Sequence, residues 1–306
     1  MTTNRTTIST AESASGQTVQ TSDDLAPLAV LIAARNEEKN IAEAIQSVLF
    51  AQQVFVVDSN STDKTCEIAE SLGAEVHQFE YNGEWPKKRN WALQNLPITC
   101  PWVLILDADE RVTPELEAAI RQGIGRDDVN GFYIRWQFMF LDRWMKHSWS
   151  HGWMLRLLRH GRGEYEDLGM RGQGGWDNEV HENVVIDGKC EQLDGYLLHH
   201  SNEDLEFWIR KQNEFSTWNA ARRGQQLAEG VPPMSYLFAG DPVKKRKWMK
   251  SVFLRLPFKP TIVFIWLYFL RFGFLDGREG FYFCRLRAMH EFNIQAKLFE
   301  QKQVAT

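Results

Sequence analysis

From Leu28 onward, short runs of apolar residues alternate with segments whose apolar positions recur at helical spacing. Continuous apolar runs are typical of strands buried on both faces, and here they read LAVLIAA, QVFVVD, AEVHQFE and WVLIL. The segments between them predict amphipathic helices, and they read EKNIAEAIQSVL, TDKTCEIAESLG and WPKKRNWALQNL. This order predicts an α/β fold with a mostly parallel central sheet and helices on both of its faces.

The alternation of apolar strands and amphipathic helices is absent from the segments before and after this α/β region. Residues 1–24 are rich in Ser and Thr and contain no apolar run, so we predict a disordered tail. The α/β domain is expected to cover residues 25–202. Residues 203–306 begin with the amphipathic segment EDLEFWIRKQNEFSTWNAARRG and are predicted to form a helical C-terminal extension.

The C-terminal extension contains a basic cluster followed by an apolar run, in DPVKKRKWMKSVFLRLPFKPTIVFIWLYFLRFGFL. The uncharged run from Thr261 to Leu270 is shorter than the roughly 20 residues that a membrane-spanning helix needs. Basic residues beside Trp and Phe favour a segment that lies on an anionic membrane surface. A hydrophobic helix packed against the preceding domain would show the same pattern, and the two arrangements are compatible.

Composition narrows the classes of protein that this chain can represent. With 306 residues, 43% hydrophobic and 25% charged, the chain is typical of a globular protein with a sizeable core. The net charge of -5 argues against a nucleic-acid-binding protein. The four cysteines are far apart and form no CxxC pair, which argues against a zinc site or a disulfide framework and fits a reducing compartment.

Polar and acidic residues follow three of the predicted strands, in the segments ARNEEKN, DSNSTDKT and DADE. Ligands of open α/β sheets bind beyond the carboxyl ends of the strands, where these segments would meet. Neither GxGxxG after the first strand nor a P-loop is present, which argues against a dinucleotide or P-loop site. Asp107 and Asp109 can hold a hard divalent cation that binds a diphosphate. The alternative is that both acids cap the helix that begins near Thr113.

The segments LIAARNEEKNIAEAIQSV, VVDSNSTDKTCEIAESLGA, WPKKRNWALQ and VLILDADERVTPEL resemble the family 2 glycosyltransferases of GT-A fold. The likeness continues through HGWMLRLLRHG, NEVHENVVIDG, LDGYLLHHSNEDLEFWIRK and FLDGREGFYFCRLRAM, and it is greatest to the lipopolysaccharide-core β-1,4-glucosyltransferases. It extends from Leu28 to Lys297. The resemblance implies that residues 25–112 form a nucleotide half and residues 113–202 an acceptor half of the domain.

The resemblance also implies a nucleoside pocket at the ends of the first two strands. The backbone of Ala34 and the side chains of Arg35, Asn36 and Glu37 would line this pocket. Asp58 would face the base or the ribose. Many relatives have two adjacent acids where this chain has Asp58 followed by Ser, so the identity of the base stays open.

A diphosphate and its metal are implied next to this pocket. Asp107 would face the ribose or the metal, and Asp109 would ligate Mg²⁺ or Mn²⁺. His199 matches a position near the site and could approach the diphosphate or the metal through a neutral imidazole nitrogen. Lys88 and Arg89 would add positive charge near the phosphates, although two solvated cations on a helix surface would have the same sequence.

The catalytic base is expected in WDNEVHENVV, because the resembling family has an HE pair on the acceptor side of its site. We assign Glu182 as the base and His181 as the residue that orients it or the acceptor. Glu179 is the alternative base. Strand alternation places Glu179 and His181 on one face and Glu182 on the other, and a local bend would break that parity. A surface turn with ordinary charges would also fit this segment.

The acceptor is expected beside the segment MKHSWSHGWMLRLLRHG. Trp149 and Trp153 can stack on a sugar face. Arg156 can meet an acidic acceptor or a phosphate, although pairing with a neighbouring strand is equally compatible with the sequence.

Together these features predict a metal-dependent, inverting glycosyltransferase. It would move a hexose, with UDP-glucose as the expected donor, to a lipid-linked or envelope saccharide. We expect it in the cytoplasm, peripherally bound to the plasma membrane and without a nucleic-acid partner. One alternative is a sugar nucleotidyltransferase, against which the absence of a Gly-rich loop after the first strand counts. Another is a membrane-docked binding protein that has lost catalysis.

Overall fold

The computed structural model describes residues 24–149, 152–167, 183–200, 204–238 and 242–304. Every strand and helix predicted for the first half of the chain is present. In chain order these are β1 (Ala26–Ala34), α1 (Ile41–Gln46), β2 (Ala51–Asp58), α2 (Thr65–Ser71), β3 (Glu75–Gln78), α3 (Lys88–Asn95) and β4 (Trp102–Asp107).

The rest of the domain adds more strands to the same sheet. These elements are β5 (Glu110–Val112), α4 (Pro114–Gly123), β6 (Gly131–Phe140), β7 (Arg143–Trp144), β8 (Trp153–Arg159), β9 (Gly163–Tyr165), β10 (Val184–Ile186) and β11 (Cys190–His199). The strand order is β3-β2-β1-β4-β8-β6-β11-β5, with β7 paired to β6, and β9 and β10 form a separate hairpin. Among the described strands of the large sheet, β1, β2, β3, β4, β6 and β11 run in one direction. This mixed, mostly parallel sheet with helices on its faces confirms the predicted α/β fold.

Two hydrophobic cores cover the two faces of the sheet. Along β1, Val30 and Ile32 face the core formed with α1, α2 and α4. Ala29 and Leu31 face the second core, which contains α3 and β9. Successive side chains of a strand point to opposite faces, so a strand buried on both faces must be apolar throughout. The run LAVLIAA satisfies this requirement.

The helix after β5 begins with its own cap. The Thr113 side chain accepts a hydrogen bond from the Leu116 backbone N–H at 3.3 Å, and Pro114 occupies the first turn. Threonine is a favoured N-cap residue, and proline is well tolerated in the first turn. The alternative that Asp107 and Asp109 cap this helix is therefore wrong.

A glycine allows α4 to pack closely on β11. Gly195 has φ +93°, and a Cβ at this position would lie 2.8 Å from the Leu116 backbone. The pairing of β11 with β6 shifts register between Gln192 and Tyr196, around this glycine. Only a residue without a side chain fits such a close approach with positive φ. The shift sets the position of the last residues of β11, which end at His199.

The C-terminal extension is helical, as predicted. It contains α5 (Leu205–Ala228), α6 (Ser235–Phe238), α7 (Pro242–Phe253), α8 (Lys259–Ile265), a π-helical segment (Trp266–Leu270), a 3-10 turn (Gly273–Asp276) and α9 (Gly277–Val304). Phe283 of α9 packs against Phe138 and Phe140 at the end of β6. Asp276 is buried, and its carboxylate accepts hydrogen bonds from the Ser148 N–H and hydroxyl, each at 2.7 Å. The extension is thus joined to the sheet by both an apolar and a polar contact.

Candidate active site

A cleft of about 1640 Å³ lies between the sheet and the C-terminal helices. Ala34, Asp107 and His199, the last residues of β1, β4 and β11, line it on the sheet side. Arg210 of α5 and Arg287 of α9 line it on the helical side. The cleft therefore occupies the position beyond the strand ends where open α/β sheets bind their ligands.

Of the predicted site residues, the described ones fall into two groups. The residues that line the cleft are Ala34, Arg35, Asn36, Glu37, Arg89, Asp107, Asp109, Trp149, Trp153, Arg156 and His199. Asp58 and Lys88 do not line it. Glu179, His181 and Glu182 lie outside the described residues.

The loop after β1 is held by the loop after β2. The Asn36 N–H donates to Ser61 Oγ at 2.8 Å, and the Thr62 N–H donates to Asn36 Oδ1 at 2.8 Å. Asn36 has φ 54°, a conformation that asparagine adopts more readily than most residues. The backbone N–H of Glu37 donates to Thr65 Oγ1 at 2.8 Å. These bonds fix the loop that presents Arg35 and Glu37 to the cleft.

Asp58 and Lys88 have supporting positions behind this loop. The Asp58 carboxylate is buried and accepts hydrogen bonds from the N–H and hydroxyl of Ser61. Lys88 is also buried, and its Nζ donates to the Ala34 carbonyl at 2.8 Å. In this structure neither side chain faces the cleft directly, which differs from the positions that we expected for a nucleotide contact. Lys88 instead holds the Ala34 backbone that lines the cleft, and Asp58 holds the loop after β2 that supports the cleft loop through Ser61.

The acids of the DADE segment are balanced by two arginines. Arg89 pairs with Asp107 Oδ1. Arg156 Nη2 lies 2.9 Å from Asp107 Oδ2 and 3.0 Å from Glu110 Oε1. The Asp107 N–H donates to Glu110 Oε2 at 2.8 Å. Two cations and two carboxylates thus form one connected network under the cleft.

The network gives its two carboxyl groups opposite pKa shifts. Burial alone would raise the pKa of Asp107, but the Arg89 and Arg156 guanidiniums outweigh burial and hold that pKa well below its ordinary value. Burial raises the pKa of Glu110 to about 7, against the attraction of the Arg156 guanidinium. Asp107 is therefore ionised at neutral pH, whereas Glu110 changes protonation near it.

Asp109 and His199 meet on the floor of the cleft. His199 Nε2 lies 3.6 Å from Asp109 Oδ2, and both side chains are mostly buried. The imidazole packs against Trp136 and Phe138, with each pair of ring centroids 5.3 Å apart. Over the described part of the chain, no group of three or more His, Cys, Asp or Glu is arranged to hold a metal ion. Asp109 and His199 lie together, whereas the Asp107 carboxylate pairs with Arg89 and Arg156, and the assignment of Asp107, Asp109 and His199 as metal ligands stays a prediction.

The predicted acceptor residues are held by other side chains. Trp149 stacks on Phe138 with centroids 4.6 Å apart, and the Arg287 guanidinium lies over its ring at 5.5 Å. The Arg135 guanidinium lies over the Trp153 ring at 4.7 Å. The indole face that packs on Phe138 is closed to a sugar. Arg156 is buried in the carboxylate network, which is the strand-pairing alternative that the sequence left open.

The segment with the predicted base ends at the cleft. Asn183, which follows Glu182 in the chain, lines the cleft together with Val184. The Asn183 N–H donates to Glu166 Oε1 at 2.9 Å. The assignment of Glu182, with Glu179 as alternative, stays a prediction.

Sequence reasoning gave no role to Glu110 or Arg287. Glu110 is the last residue of the DADE segment. Three carboxylates within four residues repel one another, and this crowding could have indicated that Glu110 needs a cationic partner. Arg287 lies on α9, where the sequence shows only one arginine among several charged and apolar residues. No pattern within the helix indicates that this arginine faces the cleft.

Comparison with known proteins gives the family of the domain. Residues 29–176 match the model of Glycosyl transferase family 2. The lipopolysaccharide core biosynthesis glycosyltransferase LpsC of Rhizobium meliloti is 27% identical, over 90% of this chain and 93% of LpsC. An uncharacterized glycosyltransferase of Rickettsia typhi is also 27% identical, over 89% of this chain and 87% of the relative.

Solved structures show weaker likeness. The mannosyltransferase PcManGT of Pyrobaculum calidifontis, in complex with GDP-Man and Mn²⁺, has a TM-score of 0.44 and 13% identity over 91% of this chain and 88% of its own. Glucosyl-3-phosphoglycerate synthase of Mycobacterium tuberculosis has a TM-score of 0.30 and 21% identity over 37% of this chain and 43% of its own. Likeness at these TM-scores supports no conclusion about the site.

The family match covers the strands β1 to β4, the DADE segment and most of the sheet side of the cleft. The sequence resemblance is therefore confirmed. Residues 29–176 therefore form a family 2 glycosyltransferase domain.

Proposed function

We propose that this protein transfers a hexose from a nucleotide sugar to a saccharide of the lipopolysaccharide core, with inversion at the anomeric carbon. UDP-glucose is the proposed donor. The observation that carries the proposal is the Asp109 and His199 pair, 3.6 Å apart beside the loop at Arg35. The similarity to LpsC over most of both chains supports the class of acceptor.

The donor end of the cleft has the groups that a nucleoside diphosphate requires. The loop from Arg35 to Glu37 offers a guanidinium, an amide and a carboxylate to the nucleoside. Arg89 lines the same cleft, and its guanidinium is oriented by Asp107. A cation fixed near the bridging oxygen stabilises the negative charge that grows as the nucleoside diphosphate leaves.

Asp109 and His199 fit a divalent cation shared with the donor. Mg²⁺ is commonly bound by one or two carboxylates plus substrate phosphates, so a complete cage of protein ligands is not required. The carboxylate of Asp109 and the Nε2 atom of His199 would hold the ion. When bound, Mg²⁺ or Mn²⁺ supplies a Lewis acid that stabilises charge on the leaving diphosphate.

The acceptor hydroxyl must lose a proton as it attacks. We propose Glu182 as the general base, His181 as its orienting partner and Glu179 as the alternative base. The cleft position of Asn183 supports a base in this part of the chain. Attack opposite the leaving group in a single displacement, with no covalent intermediate, gives the inverted product.

We also propose that the C-terminal extension binds an anionic membrane surface. Large apolar side chains are exposed there, including Phe258 (77%), Leu270 (61%) and Trp266 (54%). A row of exposed cations in α7 lies just before them in the chain. Among the described residues, no single helix is long and apolar enough to cross a membrane, although Lys259–Leu270 and Gly273–Gln303 meet that test together across a bend of 74°.

A donor screen tests the proposed reaction. Purified protein is incubated with UDP-glucose, UDP-galactose and GDP-mannose, plus truncated core oligosaccharide, in Mn²⁺, Mg²⁺ or EDTA. We expect UDP release from UDP-glucose that requires both the metal and the acceptor, and a product of inverted anomeric configuration by NMR. Formation of a sugar nucleotide and pyrophosphate from a sugar 1-phosphate and UTP would favour a nucleotidyltransferase. Nucleotide-dependent stabilisation without turnover would favour a binding protein.

A further inference from the structure

The helical end of the cleft is lined by cations whose counter-ions are unequally distributed. Arg223 forms two hydrogen bonds with Glu291, at 2.5 Å and 3.0 Å. Lys259 Nζ approaches the same carboxylate at 3.7 Å. Burial and the charge of Arg287 lower the pKa of His290 to about 4, so this imidazole is neutral at pH 7. The charge of Glu291 is thus already shared by Arg223 and Lys259.

Arg287 is a half-buried cation of the helical end that stays uncompensated, whereas Arg210 is exposed to water. It lines the cleft, and within the described part of the chain its guanidinium has neither a hydrogen bond nor an ion pair. The guanidinium lies over the Trp149 ring, 5.5 Å from the ring centroid. Burial lowers the pKa of Arg287, and the Glu291 carboxylate only partly offsets this effect. A half-buried guanidinium without a counter-ion costs free energy, and a bound anion would recover part of it.

A second donor lies at the same place. The Trp149 Nε1–H is buried and has no acceptor among the described residues. Phe138 and Phe283 pack against this indole and fix its orientation. Buried polar groups are nearly always satisfied in native proteins, so an unsatisfied indole N–H beside an unsatisfied guanidinium indicates a missing acceptor. Arginine provides a planar fork of five donors and no acceptor, which matches an oxyanion.

We infer that Arg287 and Trp149 form an anion subsite that binds a phosphate or carboxylate carried by the acceptor saccharide. The inference rests on the proposed function for the identity of the acceptor, because the cleft joins this subsite to the proposed donor end. The subsite would select acidic over neutral acceptors and would orient the acceptor along the cleft. It contributes to binding, and no bond is made or broken there.

Binding of simple probes tests the subsite without turnover. Glucose 6-phosphate, glucuronate and glucose are titrated by calorimetry into the full-length protein, in EDTA. We expect both anionic sugars to bind and glucose to bind at least about tenfold more weakly, since a hydrogen bond to a charged group contributes that much or more. Equal affinity for all three probes would overturn the proposal.

Variants locate the binding site. R287Q should weaken the anionic probes by about tenfold or more, and R287K should do so by less because charge is kept but the fork is lost. W149F keeps the ring and removes the N–H, so a smaller loss is expected. R285Q is the matched control, because Arg285 lies on the same helix over Phe264 and does not line the cleft. Unchanged probe binding in a folded R287Q, or an equal loss in R285Q, would refute the assignment.

Two further measurements distinguish the anion subsite from the proposed donor site and from a lipid-binding site. UDP binding in Mn²⁺ should be the same for R287Q and the wild type. If UDP does not bind at all, the donor proposal fails, but the binding of the anionic sugars still tests the subsite. A phosphate could also belong to a lipid headgroup. R287Q should therefore bind phosphatidylglycerol vesicles as the wild type does, and weaker vesicle binding would overturn the saccharide as the source.

Discussion

The two ends of the cleft compensate charge in opposite ways. At the donor end, Asp107 contacts two arginines, and Glu110 shares one of them. At the helical end, Arg287 has an aromatic ring for a neighbour and no carboxylate partner among the described residues. The donor end is thus preorganised by its own ion pairs, whereas the helical end depends on a ligand to supply the missing charge. This contrast separates residues that hold the site together from residues available to bind.

The largest expected effect is at the donor end, on Asp109. D109A should abolish transfer and remove the metal-dependent stabilisation by UDP, because the diphosphate loses its link to the protein. Transfer assays and thermal shifts, with and without Mn²⁺, measure both effects. D142N is the control, since Asp142 also lines the cleft but pairs with His200 at 2.9 Å. Full activity of D109A, or of the wild type in excess EDTA, would exclude the metal role.

The next largest effect is expected for the base. E182Q keeps the size of the side chain but cannot accept a proton, so turnover should fall about 100-fold or more while UDP affinity stays near that of the wild type. Single-turnover kinetics with a fixed core acceptor measure the change. E166Q tests for a structural effect, because Glu166 supports Asn183 from the neighbouring strand. If E179Q shows the loss and E182Q does not, Glu179 is the base.

The sequence predicted the donor end better than the helical end for a physical reason. Apolar runs identify the strands, and the carboxyl ends of parallel strands lie at the same edge of the sheet. Arg35, Asp107 and Asp109, which follow strand ends, are therefore expected together. The same rules do not determine which way a side chain turns at a strand or helix end. Lys88 and Asp58 accordingly lie behind the loop at Ala34, where each satisfies backbone groups.

The helical end depends on contacts between distant parts of the chain. Arg287 and Trp149 are far apart in sequence, and they meet because α9 packs on the end of β6. Periodicity cannot assign one face of α9 to the cleft, since the helix carries apolar and charged residues all around. The Glu110 network likewise depends on β8 lying beside β4, a pairing that the order of elements alone leaves open.

A smaller effect is expected when the donor-end network loses its titratable acid. The pKa of Glu110 is raised to about 7 in the folded protein from an ordinary value of 4.5, so the folded state holds its proton longer than the unfolded state. Its contribution to stability is complete below pH 4.5 and is lost as pH rises through 7. Relative to E110Q, the wild type should therefore lose up to about 3 kcal/mol of unfolding free energy over this range.

Urea unfolding of both proteins at several pH values from 4.5 to 8 measures this difference. E115Q, at an exposed position on α4, controls for the loss of one carboxylate. A constant difference between the wild type and E110Q over this range would show that Glu110 stays ionised beside Arg156. Both carboxylates of the donor end, Asp107 and Glu110, would then be ionised and paired with arginines at every pH tested. The difference from Arg287, which has no carboxylate partner among the described residues, would be larger.

The smallest effect on transfer to a soluble acceptor is expected from the membrane surface. Exposed cations crowd the helix α7, and they are Lys244, Lys245, Arg246, Lys247 and Lys250. Each cation near an anionic surface contributes about 1 kcal/mol of attraction, which salt screens. Changing all five to Gln should move the protein from anionic vesicles into solution in a sedimentation assay, yet leave soluble transfer unchanged. The control changes five exposed cations elsewhere, at Lys64, Lys146, Arg162, Lys189 and Lys302. Equal binding of the wild type to neutral and anionic vesicles, with no loss in either variant, would remove the role of the α7 cations. Failure of the wild type to sediment with either kind of vesicle would remove the membrane proposal and leave α7 and α8 as helices packed on the protein.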